Sequence, residues 1–80
     1  GEYIAMNRKH CFAAEIGLSG ELRGVVKIEQ RINEAAKLGF ERIYIAKSNS
    51  KRLSTDFKNS EVVALGKIDE LLPYILRSVR

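Results

Sequence analysis

Eighty residues with 45% apolar and 30% charged side chains describe one small globular domain, too short for two cores and too apolar for a disordered segment. Fourteen Lys and Arg against ten Asp and Glu leave a net charge of +4, which suits an anionic partner without requiring one. No apolar run of about 18 residues and no export leader pattern occur, so a membrane span is not expected and a cytoplasmic location is.

Gly1 to Lys9 is polar, mixed and without a period, and reads as a flexible N-terminal segment or a non-native remnant ahead of a domain over residues 10–80. Cys11 is the single cysteine and His10 the single histidine. As sequence neighbours in a strand they point to opposite faces, so a metal site is not expected; the spacing predicts a buried Cys11 beside a solvent-facing His10. Cys11 to Ile16 and Leu22 to Val26 are apolar runs flanking GLSGE, whose Gly17 and Gly20 suit a hairpin connection, so an antiparallel pair is predicted.

Ile28, Ile32, Ala35 and Ala36 recur at helical spacing, and Gly39 stands where a helix that begins at Lys27 would end after Leu38. Arg42 to Ala46 and Glu61 to Leu65 read as strands, the second apolar enough to be covered on both faces. The helix then becomes a crossover, with the strands at Leu22, Arg42 and Glu61 running parallel. Ile68 to Leu76 reads as an amphipathic C-terminal helix that Pro73 breaks near Leu72. The fold class is α/β (α+β): a small mixed sheet with an N-terminal antiparallel hairpin, a parallel βαβ unit and a C-terminal helix.

Chemistry-bearing patterns are few. Ser19, Ser48, Ser50, Ser54, Ser60 and Ser78 fall in predicted turns, loops or the tail, without a nucleophile elbow. No phosphate-loop motif is present, so these residues do not bind ATP by that route. Glu29 and Asp69 sit in the first turns of helices, where the helix dipole favours an acid. The cations are more suggestive. If the three strands run parallel, their C-terminal edge receives Lys27, Lys47, Lys51, Arg52 and Lys67, with Arg23 and Arg31 nearby, and helix N-termini near Ile28 and Ile68 add partial positive charge. Phosphate binding is one reading of that edge and ordinary solvated charge the other. Tyr44 and Phe57, the aromatics near it, fit core positions, so base-specific reading is not expected.

The segments EIGLSGELRG, VVKIEQRINEAAKLGF, ERIYIAKSN and SKRLSTDF, spread over Phe12 to Leu76, together resemble the second half of a Lon-type protease domain. EQRINEAAKLGF is most similar to the branch found in bacterial RadA (Sms) DNA-repair and recombination proteins. The resemblance implies a partial, degenerate Lon-like domain. Aligned through the helix and Gly39, the position of the family's catalytic lysine is Glu29. A carboxylate cannot activate a serine as a neutral amine does, and Lys27 and Arg31 lie about 200° around the helix from it. No catalytic residue is therefore expected here. The resemblance further implies a parent with an ATPase core using ATP and Mg, a zinc finger, a hexameric ring, non-sequence-specific DNA binding to single-stranded or branched DNA, and a recombinase filament as a further partner. The alternatives are a fragment of a working Ser-Lys protease and a purely structural oligomerisation module.

Overall fold

Ile43, Tyr44, Ile45 and Ala46 are consecutive and all fully buried, which a strand achieves only when both faces of its sheet are covered. The structure is a computed structural model, and it describes residues 3–5, 9–51, 53 and 60–74. In chain order its elements are strands β1 (Tyr3–Ala5), β2 (His10–Ala13), β3 (Glu15–Ile16) and β4 (Leu22–Arg23), helix α1 (Ile28–Lys37), strand β5 (Arg42–Ala46), a helical turn α2 (Lys47–Ser50), strand β6 (Glu61–Leu65) and a 3-10 helix over Ile68–Leu71. The main sheet has the order β1-β2-β5-β6, and β3 with β4 forms a separate two-stranded ribbon. β1 runs antiparallel to β2, while β2, β5 and β6 are mutually parallel neighbours.

One face of the sheet carries Cys11, Ala13, Ile43 and Ile45, and against it pack Ile28, Ile32 and Ala35 of α1 together with Val25. The opposite face carries Phe12, Ala14, Tyr44, Ala46 and Leu65, covered by Leu22 and Leu71. Each buried isoleucine of α1 contributes roughly 1.5–3 kcal/mol through the apolar area it removes from water. α1 ends in a Schellman motif: Phe40 N–H donates to Ala35 O (3.1 Å) and Gly39 N–H to Ala36 O (3.0 Å), with Gly39 at φ 96°. That conformation suits the glycine.

The structure corrects several expectations. The parallel partner of β5 is β2, not the strand at Leu22, so α1 closes a crossover that leaves β2 after Ala13 and passes through the hairpin on the way. Both runs that flank GLSGE are short and mainly apolar. What separates them is long-range: Cys11 to Ala14 has four buried residues facing the two cores in turn, whereas Leu22-Arg23 has one buried and one exposed. The antiparallel pair is thereby reduced to two residues a side, Glu15 with Arg23 and Ile16 with Leu22.

The C-terminal element is also different, a 3-10 helix at Ile68–Leu71 followed by α-helical backbone over 72–74. Pro73 thus sits in a first α-helical turn, where its missing N–H costs little. The remainder of the predicted helix lies outside the described residues. At the other end, Tyr3–Ala5 pairs with Cys11 to Ala13 as an edge strand, although its sequence shows no strand period. Cys11 is fully buried as expected. His10 is half-buried rather than solvent-facing: its ring meets Tyr44 edge-on at 6.2 Å, and burial, with Arg42 adding, holds its pKa below the ordinary value.

Candidate nucleic-acid interface

Because β5 and β6 run parallel in the register Ala46↔Leu65, the residues that follow them emerge side by side. Lys47 opens α2 directly after β5, and Lys67 follows β6 by one glycine. A Cβ at Gly66 would lie 3.8 Å from Lys47 Cδ, so the Lys47 stem runs across that glycine. Lys51 caps the C-terminus of α2. All three lysines are exposed.

The start of α1, where Lys27 stands, is tied to α2 through Asn49. The buried Asn49 amide pairs with the backbone of Val25 in both directions: Val25 N–H donates to Asn49 Oδ1 at 2.8 Å, and Asn49 Nδ2 donates to Val25 O at 3.1 Å. The side chain imitates a neighbouring strand and locks the start of α1 to α2. Gly24 makes the approach possible, since a Cβ there would sit 2.9 Å from Asn49 Cγ and from Ser48 Oγ. Two residues on, Lys27 stands at the N-cap of α1 in the left-handed conformation (φ 55°, ψ 47°), which costs a non-glycine residue about 1 kcal/mol.

The second helix start does not contribute as expected. The Glu70 carboxylate accepts from Gly66 N–H (2.9 Å) and Lys67 N–H (2.7 Å), and Ile68 N–H is donated to Gly20 O (2.8 Å). These donors are spent within the protein. The two backbone hydrogen bonds, with Lys47 and Lys67 nearby, hold the Glu70 carboxyl below its ordinary pKa. Glu70 thus sets a negative charge between two of the lysines.

Arg23 is turned to the hairpin, where Nη2 meets Glu21 Oε2 at 3.0 Å. Arg31 Nε donates to Val26 O at 3.3 Å, and so braces the loop before α1. Arg52 lies outside the described residues, as does Phe57. Tyr44 is fully buried in the core. Between α1 and α2 an open groove of about 790 Å³ is lined by Gly24 to Gln30 with Ser48 and Asn49. Glu29, half-buried in the first turn of α1, is among its lining residues.

Comparison with known proteins decides the family. The chain is 47% identical over 66 residues to the DNA repair protein RadA of Streptococcus pneumoniae, 50% over 62 residues to that of Listeria monocytogenes and 46% over 66 residues to that of Bacillus subtilis. The chain belongs to the RadA family. The matches take in 82%, 78% and 82% of the chain but only 16%, 13% and 14% of those three relatives, so it corresponds to a segment of a much longer protein. No protein-family model matches it.

Three of this RadA segment's organising residues escape a reading by charge. Asn49, Gly24 and Glu70 carry no motif of their own, yet they set the positions of Lys27, Lys47 and Lys67. Ser48 and Asn49 lie in a stretch, KSNS, whose polar run reads as a loop. An asparagine three residues past a wholly apolar strand end was the one signal available, since its amide can both accept from and donate to backbone.

Among the described residues, no group of three His, Cys, Asp or Glu side chains is placed to hold a metal ion, and no helix is long and apolar enough to cross a membrane.

Proposed function

We propose that the chain is a non-proteolytic, Lon-like domain of a RadA-type DNA-repair protein, and that it serves as a DNA-binding and ring-assembly platform. In this reading the parent is a DNA-dependent ATPase that promotes branch migration in homologous recombination. ATP, Mg and a zinc finger belong to its other parts, and its subunits form a hexameric ring. The observation that carries the proposal is the placement of Lys47, Lys51 and Lys67 after the C-terminal ends of β5 and β6, in a protein whose relatives are named for DNA repair.

The absence of proteolysis is argued from Glu29. In a Lon-type site the lysine must be neutral to take a proton from serine. A carboxylate at that place would oppose the developing alkoxide. Cys11 offers no substitute nucleophile, because burial pushes its thiol pKa up to about 11 and the reactive thiolate is not formed at neutral pH.

Phosphates are the natural counterpart of such an edge, since lysines contribute affinity without reading bases. About three phosphate contacts per domain would give a salt slope near −3 and a weak affinity of about 10⁻⁴ to 10⁻⁶ M, which a ring multiplies. Fluorescence anisotropy with labelled single-stranded and duplex oligonucleotides across a salt series tests the proposal. Steeply salt-dependent binding that collapses in Lys47→Glu/Lys51→Glu, with assembly intact, is the expected result. No binding at low salt would leave assembly as the domain's task.

A further inference from the structure

Leu18 at the tip of the β3–β4 hairpin is 105% exposed, and Ile16 on the same hairpin 52%. Neither side chain contributes to the cores, yet the turn that presents Leu18 is tightly built. Gly17 N–H donates to Glu21 O (2.8 Å), Gly20 N–H to Gly17 O (3.0 Å) and Ser19 N–H to Glu21 Oε1 (3.0 Å). The Glu21 carboxylate fills the inside of the turn and there meets Arg23. A large apolar side chain is thus held out in water on a fixed support, and a fixed support lowers the ordering cost of burying it in a partner.

The base of the hairpin is tied to the cationic edge. Leu22 N–H donates to Gly66 O (2.9 Å), Ile68 N–H donates to Gly20 O (2.8 Å), and Glu21 pairs with Lys67 in an antiparallel bridge. Leu18 therefore projects from a support whose base is bridged to Lys67 and carries Arg23, with Lys47 across Gly66 from that base. The two opposing carboxylates at that place, Glu21 and Glu70, are both engaged by backbone N–H groups. An apolar tip beside a row of lysines matches a polyanion that also has apolar faces to offer, which describes a nucleic acid whose bases are being unstacked.

We propose that Leu18 is a wedge that enters an opened base step at a junction between duplex and single strand, while Lys47 and Lys67 hold the flanking phosphates. The proposal rests on the DNA-platform reading above and assigns to it a distinct element. Leucine and isoleucine are among the side chains that proteins insert between bases, with unstacking offset by the additional contact. Phosphate contacts set affinity and the wedge sets which DNA structure is preferred.

The test uses a forked oligonucleotide with a fluorescent purine analogue at the junction, in which unstacking raises emission, measured with the full-length parent as well as with this segment. The expected result is a rise on binding to the unsubstituted protein. Leu18→Ser should lose the rise while retaining affinity within about threefold and the same salt slope, because phosphate contacts are untouched. Leu18→Met should restore the rise. Among the described residues Leu18 packs against nothing, so the melting temperature of this segment should not move in either variant. An unchanged rise in Leu18→Ser, or normal salt-dependent binding without any rise in the unsubstituted protein, overturns the wedge and leaves the platform standing. Failure to bind at low salt overturns both. A shift in sedimentation for Leu18→Ser with an unaltered rise would make the tip a contact between copies of the chain and also overturn the wedge.

Discussion

At the scale of single residues, Asn49 governs the candidate interface more than any lysine does. Its amide is 7% exposed and satisfies both Val25 backbone groups, so truncation would leave a buried N–H and a buried C=O without partners. Each such group costs about 1–3 kcal/mol. Asn49→Ala should therefore destabilise the chain by roughly 2–4 kcal/mol in chemical denaturation. Asn49→Asp should fare little better: a carboxylate accepts from Val25 N–H but opposes Val25 O, which now has no donor. Equal stability of Asn49→Ala and the unsubstituted chain would show that water replaces the amide and that the groove is held by packing alone. Lys27, by contrast, is exposed and left-handed. Its place at the groove comes from the backbone that Asn49 holds.

At the scale of elements, the link between β6, the hairpin and the 3-10 helix depends on Glu70 being charged. The folded-state pKa of Glu70 lies below the ordinary value of 4.5 because Lys67 N–H and Gly66 N–H donate to the carboxylate. The contribution of this carboxylate is complete above the unfolded pKa and is lost as pH falls through the lower folded value. Glu70→Gln should consequently show a smaller loss of stability than the unsubstituted chain between about pH 7 and about pH 3. Denaturant midpoints at the two pH values measure it, and parallel losses in both proteins would assign the acid response to other carboxylates such as Glu21. The same junction explains what could be read from the sequence. α1 and its glycine stop were legible because they rest on local periodicity and a local cap. β5 and β6 were legible because, after an opening Arg42 and Glu61, their residues are apolar. The choice of β2 as the partner of β5, and the antiparallel bridge from Glu21 to Lys67, rest on contacts more than thirty residues apart, about which periodicity is silent. The lysines could be placed at strand ends by counting, whereas Glu70's hold on the donors between them required coordinates.

At the scale of the whole molecule, the question is whether the net charge or its placement binds a polyanion. A charge of +4 on 80 residues would draw DNA weakly to any face. The fold distributes that charge unequally: Lys47, Lys51 and Lys67 follow the C-terminal ends of β5 and β6, while Lys37 closes α1 at its far end and Lys9 precedes β2, 3.9 Å from Glu41. Reversing two lysines changes the total by the same amount wherever they stand, so a matched pair of double variants separates the two explanations. If placement decides, Lys47→Glu/Lys51→Glu should lower the salt slope by about 2, because each lysine that meets a phosphate releases about one counterion. Lys9→Glu/Lys37→Glu should leave the slope unchanged and weaken binding only through the long-range field, an effect that fades as the Debye length shrinks to about 8 Å at physiological salt. Equal losses in both variants would mean that the edge has no privileged role. A selective loss at Lys47 and Lys51 would locate the phosphates beside α2, one residue pair from the strand ends that the main sheet holds in register.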